Sequence, residues 1–279
     1  MQTGIPVTLP GGLLVDGRRQ CDAVLRPIDG WLEEQVGTVM AGGGSNLPAA
    51  VSRVLGTALL SVGGKAAAPE QAAALTIADR QWLMLNLAFT LQGGGSWLTG
   101  HCGDCGKPFD LRFDHPEQLP VKTAGEGFPF VELDLGEDRL RLRLPNGADQ
   151  ERIAGLDANE VPASLLSGCL LSVNGGAVPA GYVDTLDTDA LQKIEEALDE
   201  ASPHVETAFD IVCPECGQPQ HMEINPYSPF AVRHQTSLFQ EVHMLASAYH
   251  WSEREILSLS RERRRLYLSL IDRSRGMAT

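Results

Sequence analysis

Two short stretches of the sequence decide the expected fold: Cys102-Gly103-Asp104-Cys105-Gly106 and Cys213-Pro214-Glu215-Cys216-Gly217. Each places two cysteines three positions apart, with a glycine after the second, between segments of strand character. Two thiolates at this spacing can point at one tetrahedral ion about 2.3 Å from each sulfur, and the glycine permits the turn that aims backbone N–H groups at them. Two such turns supply the closed shell of a structural zinc site. The predicted Zn2+ ligands are therefore Cys102, Cys105, Cys213 and Cys216.

The separation of the two cysteine turns along the chain is unusual. A compact zinc ribbon separates its cysteine pairs by about 15–20 residues, whereas 107 residues lie between Cys105 and Cys213. We therefore interpret residues 114–206 as an insertion between the two halves of a split ribbon. The metal would close a very long loop, which favours stability in a loop-entropy description. Whether the turns meet within one chain or across a dimer is open at this point.

Other uses of the cysteines define the alternative function. A thioredoxin-type CxxC opens a helix after a strand, and neither turn here is followed by helical periodicity. His101 and His221 lie beside the turns and could replace a cysteine as ligand, although four thiolates make this unnecessary. Cys21 and Cys169 have no partner pattern, and we expect buried thiols. A zinc- or thiol-dependent enzyme, either hydrolase or oxidoreductase, remains the alternative.

The insertion contains a strong hairpin signal. Apolar residues alternate with polar ones on both sides of Gly136, a pattern that predicts two antiparallel strands with one apolar face. Pairing Leu135 with Leu140 sets Asp134 opposite Arg141. Opposite-charge pairs of this kind help to fix the register of a hairpin, so this pairing is the expected one.

Helix signals lie on both sides of the ribbon segments. Thr76 with Asp79 three residues on resembles a capping box and opens an apolar helix from Ile77 to about Leu91. Ser252-Glu253-Arg254-Glu255 is a complete capping box inside a helical C-terminal region. The sequence therefore predicts an α+β fold: a split zinc-ribbon β core with a long mixed insertion and a C-terminal helical region.

The expected domain boundaries follow changes of periodicity and Gly- and Pro-rich breaks. At 279 residues the chain is long for one domain and comfortable for two. The regions are an N-terminal mixed α/β region (1–96), the two halves of the ribbon (97–113 and 207–228), an inserted β-hairpin and helical region (114–206), and a C-terminal helical docking region (229–279).

The composition excludes several classes of protein. A hydrophobic content of 43% supports a packed core, and no window approaches the roughly 18 unbroken apolar residues of a membrane helix. The first residues show no export signal, so we expect a cytoplasmic protein. Twenty-two Lys and Arg against 36 Asp and Glu give a net charge of −14, which repels phosphate backbones and anionic lipid. We therefore expect a protein, a cation or a small molecule as partner, with no nucleic acid and no membrane.

Motifs of catalysis do not occur in the sequence. It contains no GxSxG, HExxH or GxGxxG pattern. Gly63-Gly64-Lys65 lacks the hydroxyl of a P-loop, because Ala66 follows the lysine. We therefore expect a protein that is not an enzyme and has no catalytic residues.

Several blocks of sequence, taken in order, resemble a known family. The most specific blocks are C-terminal: Phe239–His243, Ala248–Glu253, Glu255–Leu257, Arg263–Arg265 and Tyr267–Leu268. Supporting blocks are Leu25–Gly30, both CxxC pairs, Arg143–Asp149 and Cys169–Leu171. On these residues the chain resembles the baseplate hub assembly proteins of T-even-like contractile phages and their relatives in contractile injection systems.

This resemblance implies a non-catalytic assembly role. The leading hypothesis is an assembly chaperone or minor baseplate component that masks an apolar surface of a hub or wedge protein until assembly. The basic tract Arg261–Arg265, with leucines close by, fits either a docking helix or a solvated helix edge, and both interpretations stay open. The expected partner-binding residues are His243, Tyr249, Trp251, Arg264 and Tyr267.

Overall fold

The protein combines helices with short antiparallel strands, which confirms the α+β prediction. A computed structural model describes residues 4–42, 46–92, 96–113, 116–227, 233–274 and 276. The expected boundary at 228–229 between the ribbon and the C-terminal region lies outside these residues.

The elements are numbered in chain order. The described strands are β1 (Ile5–Val15), β2 (Arg18–Leu25), β3 (Leu59–Val62), β4 (Lys65–Ala66), β5 (Ser96–His101), β6 (Pro108–Phe113), β7 (Val121–Lys122), β8 (Phe130–Leu135), β9 (Asp138–Arg143), β10 (Leu170–Val173), β11 (His204–Val205), β12 (Ala208–Val212) and β13 (Pro219–Glu223). The described helices are α1 (Gly30–Ala41), α2 (Leu47–Ala58), α3 (Pro69–Ala74), α4 (Ile77–Gln92), α5 (Gly147–Ile153), α6 (Val161–Cys169), α7 (Thr188–Ala201), α8 (Arg233–Tyr249), α9 (Glu253–Leu257) and α10 (Arg261–Ser274).

The largest core lies between the N-terminal sheet and helices α1, α2 and α4. Strands β1 to β4 form an antiparallel sheet in sequence order. Helix α4 is buried over most of its surface, and the consecutive residues Leu83, Met84 and Leu85 are all buried, as expected for a helix surrounded by protein. Strand β1 packs along it, and Trp82 Nε1 donates to the carbonyl of Thr8 at 3.0 Å. The short strand β11 adds further cover.

The start of α4 confirms the predicted helix and changes the role of its capping residue. Thr76 Oγ1 accepts from the backbone N–H of Asp79 at 3.2 Å and donates to its carboxylate at 2.7 Å. The carboxylate also accepts the backbone N–H groups of Gly11 and Gly12 at 2.7 and 3.0 Å. The carboxylate thereby accepts hydrogen bonds from backbone N–H groups of β1 at the point where the pairing of β1 with β2 is interrupted. Burial raises the pKa of Asp79.

The hairpin of β8 and β9 exists, but its predicted register is wrong. Leu133 pairs with Leu140, and Asp134 lies opposite Arg139. The prediction placed four residues in the turn, whereas the chain reverses over Gly136-Glu137 alone, with Gly136 at φ +64°. This two-residue loop fits the twist of a hairpin. Because the shift is two residues, the apolar side chains stay on one face.

The insertion has a core of its own. Strands β8, β9 and β10 form a sheet with β9 in the centre. Leu140 and Leu142 of β9 pack with Leu166 of α6 and Ile194 of α7. These residues form a cluster separate from the N-terminal core. The second half of the chain therefore folds around its own apolar centre.

The C-terminal helices form a third cluster and lie against the N-terminal region. Leu245, Ile256 and Leu257 are fully buried among α8, α9 and α10. The predicted capping box of α9 is present: Ser252 Oγ accepts from the backbone N–H of Glu255, whose carboxylate accepts the N–H of Ser252. Helix α1 packs against α8 and α9.

Candidate metal centre

Each cysteine turn closes an antiparallel hairpin, and the two turns have the same backbone geometry. In the β5–β6 hairpin, the N–H of Cys102 donates to the carbonyl of Lys107 at 3.0 Å, and Gly106 N–H donates to Cys102 O at 3.0 Å. In the β12–β13 hairpin, Cys213 and Gly217 make the equivalent bonds at 2.9 Å. Both glycines have positive φ, +70° and +76°. The glycines are therefore required by the left-handed backbone of the turns.

The structure brings the four cysteine sulfurs of one chain together. All four Sγ atoms lie within 4.8 Å of one another. Cys102 Sγ is 3.6 Å from Cys216 Sγ, and Cys105 Sγ is 3.9 Å from Cys213 Sγ. A tetrahedral zinc with Zn–S bonds of about 2.3 Å separates its sulfurs by about 3.8 Å, whereas a disulfide holds them about 2.05 Å apart. The donor set and its spacing thus fit a zinc ion.

The electrostatics of the cluster favour a bound cation. Backbone N–H groups of Cys105 and Asp104 donate to Cys102 Sγ, both at 3.4 Å, and lower the pKa of Cys102 to about 7. Although the N–H of Gln218 favours its thiolate, lost hydration and hydrogen bonds to the other thiols raise the pKa of Cys216 to about 12. Four neighbouring thiolates repel one another, and the positive charge of a coordinated dication offsets that repulsion, so that all four thiols can be deprotonated.

Polar contacts join the two hairpins around the sulfurs. Lys107 Nζ forms an ion pair with Glu215 at 2.7 Å. The Gln220 side chain accepts the N–H of Gly103 at 2.8 Å and donates to Asp104 at 2.7 Å. The ion pair is exposed and contributes little to stability. These contacts orient one turn against the other.

The two histidines beside the turns and the two other cysteines of the chain differ in burial and in contacts. The metal-ligating cluster found among the described residues contains cysteines alone. His101 is exposed, and His221 Nδ1 lies 3.0 Å from Asp210 Oδ1. Cys169 is buried as expected, and burial raises its pKa to about 11. Cys21 is only half-buried, where it packs against the N-terminal core, so the expectation of a buried thiol is wrong there.

Three of the five expected partner-binding residues form one aromatic cluster. The rings of Tyr249 and Trp251 stack at 4.9 Å, and Tyr267 meets Trp251 edge-on at 4.9 Å. All three are half-buried, while His243 is exposed on α8. Leu266 and Leu270, four residues apart on α10, are 57% and 43% exposed. Their helical spacing in the sequence could have identified this exposed pair.

Arg264 lies inside the protein, which corrects its expected role as a surface contact. Its side chain is fully buried, with Nε 2.8 Å from Glu241 and Nη2 2.7 Å from Glu33. Nη1 donates to the carbonyl of Leu259 at 2.8 Å. The guanidinium therefore ties α10 to α8 and α1, and it is unavailable to a partner while these helices are packed.

No helix in the described part of the chain is long and apolar enough to cross a membrane.

Comparison with known proteins gives one match. Searches of curated proteins and of solved structures find no match. A family model described as "T4 bacteriophage base plate protein" matches residues 47–230, which include both cysteine turns. Because this match covers more than half of the 279 residues, the chain belongs to the T4 bacteriophage base plate protein family.

Proposed function

We propose that this base plate protein is a non-catalytic assembly chaperone or minor component of a contractile, phage-tail-like baseplate. In this proposal its four clustered cysteines hold one structural Zn2+, and it binds a hub or wedge protein. The observation that carries the proposal is the tetrahedral spacing of four sulfurs within the region that matches the family. We expect the cytoplasm as its location, because a reducing compartment keeps the thiols available for metal.

The ligand count supports a structural ion. Four thiolates complete the coordination that zinc prefers in structural sites, whereas catalytic zinc keeps one position for water or substrate. Each sulfur of one turn lies within 3.9 Å of a sulfur of the other turn, and each turn leads into a strand, β6 or β13. Both features differ from a redox-active CxxC at the start of a helix. The zinc- or thiol-dependent enzyme is therefore the less favoured alternative.

The partner surface that we propose lies on the C-terminal helices. Leu266 and Leu270 give α10 an exposed apolar stripe, and Arg263 adds exposed positive charge beside it. His243 and the half-buried Tyr249, Trp251 and Tyr267 belong to the same helical unit. A partner patch that fits this surface is apolar with an acidic rim.

Metal analysis tests the zinc centre. We expect one zinc per chain by elemental mass spectrometry, and four thiols that react only after denaturation or chelation. Cys105→Ser should abolish binding, because it removes one ligand from the shell. Cys21→Ser, which changes a cysteine outside the cluster, serves as the control. A labile, reactive thiol pair with no bound metal would favour the oxidoreductase.

Capture by co-expressed hub and wedge proteins tests the docking surface. The double variant Leu266→Glu/Leu270→Glu should reduce capture at least tenfold, because it places charge on the apolar stripe. Leu191→Glu, at an exposed leucine of α7, is the matched control. Undiminished capture of the double variant would contradict the proposed surface. Point substitutions are preferable to truncation, because removing α10 would leave Glu33 and Glu241 without Arg264.

A further inference from the structure

A tetrapeptide occurs twice in the chain at the same separation as the cysteine turns. Leu-Leu-Ser-Val forms β3 at Leu59–Val62 and β10 at Leu170–Val173, 111 residues later. Cys213 likewise follows Cys102 by 111 residues. The two strands also have the same burial pattern along their four residues: buried, exposed, half-buried and buried.

Both strands contain the same irregularity. On β3, Leu59 and Ser61 pair with neighbouring residues of β2, which leaves Leu60 bulged out of the ladder. On β10, Leu170 and Ser172 pair with neighbouring residues of β9, which leaves Leu171 in the equivalent position. Leu60 is 47% exposed and Leu171 is 42% exposed. A bulge is a specific local structure, so its recurrence at the same position is a strong structural correspondence.

The turns after these strands correspond as well. Gly63 and Gly64 follow β3 with φ of +57° and +74°, and Asn174 and Gly175 follow β10 with φ of +52° and +74°. Asparagine is the side chain that tolerates the left-handed conformation best after glycine. Val62 then pairs with Lys65, and Val173 pairs with Gly176. The segment from β3 to Lys65 and the segment from β10 to Gly176 therefore correspond residue by residue through strand, bulge and turn.

The flanking elements continue the same order. Helix α7 begins 111 residues after α4. Each half also begins with a hairpin, β1–β2 or β8–β9, that leads to a capped helix starting with glycine. The N-caps are Asp29 of α1 and Asn146 of α5, 117 residues apart, and each accepts the N–H of the third residue that follows. The six-residue difference falls between these caps and the Leu-Leu-Ser-Val strands.

We propose that residues 5–113 and 130–223 are two copies of one fold, and that the metal centre is the clasp that joins their equivalent terminal hairpins. This rests on the proposed zinc site. Cys102 meets Cys216, and Cys105 meets Cys213. A local twofold axis requires this reciprocal pattern, in which the first ligand of each copy contacts the second ligand of the other.

The clasp acts on the hairpins and not on the cores. Each copy has its own main apolar cluster, and Val205 and Phe209 of the second copy also pack with the cluster of the first. The cysteine site packs with a few apolar residues such as Phe109 and Met222. The bodies of the copies are joined elsewhere, because Gly147 N–H donates to Leu75 O at 3.0 Å and Asn46 Nδ2 donates to Glu151 O at 3.2 Å. Loss of the metal should therefore loosen both hairpins while both cores stay folded.

Hydrogen–deuterium exchange of the full chain tests this inference with a matched pair of variants. Cys105→Ser and Cys216→Ser change equivalent ligands of the two copies. In each variant, we expect amides of β5–β6 and of β12–β13 to exchange at least tenfold faster. Amides of β2–β3 and β9–β10 should keep their rates within twofold. Cys21→Ser should leave all four hairpin strands protected.

Three other outcomes would overturn the clasp. Faster exchange confined to the hairpin that carries the substitution would mean that the hairpins share no ion. Faster exchange of both cores would make the metal part of the general fold. Unchanged hairpin rates in a protein that elemental analysis shows to contain zinc would mean that the ion does not hold the hairpins. If the wild-type protein contains no zinc, the proposed metal centre itself fails.

Discussion

Helices α4 and α7 hold the same position in the two proposed copies, and their outer faces differ completely. Leu83 and Ile194 are equivalent, and each is buried in the core of its own copy. One position further along, Met84 is buried but Glu195 is exposed. The inward residue is set by the fold that both copies share. The first strand of each copy packs on its helix, β1 on α4 and β8 on α7, but α4 is also covered by β11 and by the short segment Pro116–Gln118. The outward residue is therefore set by what covers the helix.

Helices α1 and α5 show the same kind of difference at their first turns. Both begin with a buried glycine that a neighbour approaches closely. A Cβ on Gly30 would lie 2.7 Å from Leu257 Cδ2, and a Cβ on Gly147 would overlap the guanidinium of Arg80. The C-terminal helices cover α1, while α2 and α3 of the first copy cover α5. Equivalent surfaces are thus buried by different parts of the chain.

Exchanging the outward residues of α4 and α7 gives the largest expected effect. Met84→Glu places an unpaired carboxylate in the core and should lower the free energy of unfolding by more than about 4 kcal/mol, or abolish folding. Glu195→Met, the reverse change on α7, should leave it nearly unchanged. Urea denaturation followed by circular dichroism measures both values. Equal losses in the two variants would break the comparison.

Removing the cation that holds α1 should have the next largest effect. Arg264→Met leaves Glu33 and Glu241 buried without their partner, and should cost about 3–5 kcal/mol of stability. Burial already raises the pKa of Glu33, so the loss should shrink at acidic pH as this carboxyl is protonated. Thermal denaturation at several pH values measures this. Arg263→Met, at the exposed neighbour, is the control and should be neutral.

The capping carboxylate of α5 allows a test by pH. Although burial opposes it, hydrogen bonds from Arg143 and Arg152 keep the pKa of Asp149 below its usual value. The contribution of Asp149 is therefore present above pH 3.8 and is lost as the pH falls through the lowered pKa. Asp149→Asn should cost about 2–3 kcal/mol near neutral pH. This cost should diminish in acid, as measured by denaturation between pH 2 and pH 7, and a cost independent of pH would contradict the assignment.

The equivalent turn glycines should give the smallest effect and the closest match. Gly64 and Gly175 both have φ of +74°, and a Cβ at either position would meet no atom within 4 Å. Gly64→Ala and Gly175→Ala should therefore each cost about 1 kcal/mol, through backbone strain alone. Differential scanning calorimetry measures the two variants side by side. A cost at one site and none at the other would show that the turns are not equivalent.

Local signals in the sequence were reliable where their chemistry is local. The capping box at Ser252 and the start of α4 are present as predicted, because a cap needs only residues within one turn of helix. The hairpin register was wrong by two residues, because the turn geometry of Gly136 outweighs the pairing of exposed charges. The repeated Leu-Leu-Ser-Val was visible, with the same offset as the cysteines, but it gained meaning only beside the two bulges.

The sequence by itself determined the two cysteine turns, the caps and the apolar faces, since each depends on residue types at short spacing. Only the tertiary structure decided that four sulfurs meet within one chain and that Arg264 is buried between two glutamates. Cys102 and Cys216 are 114 positions apart in the sequence, and Arg264 and Glu33 are 231 positions apart. Such contacts depend on how separate elements pack, and no local pattern specifies that packing.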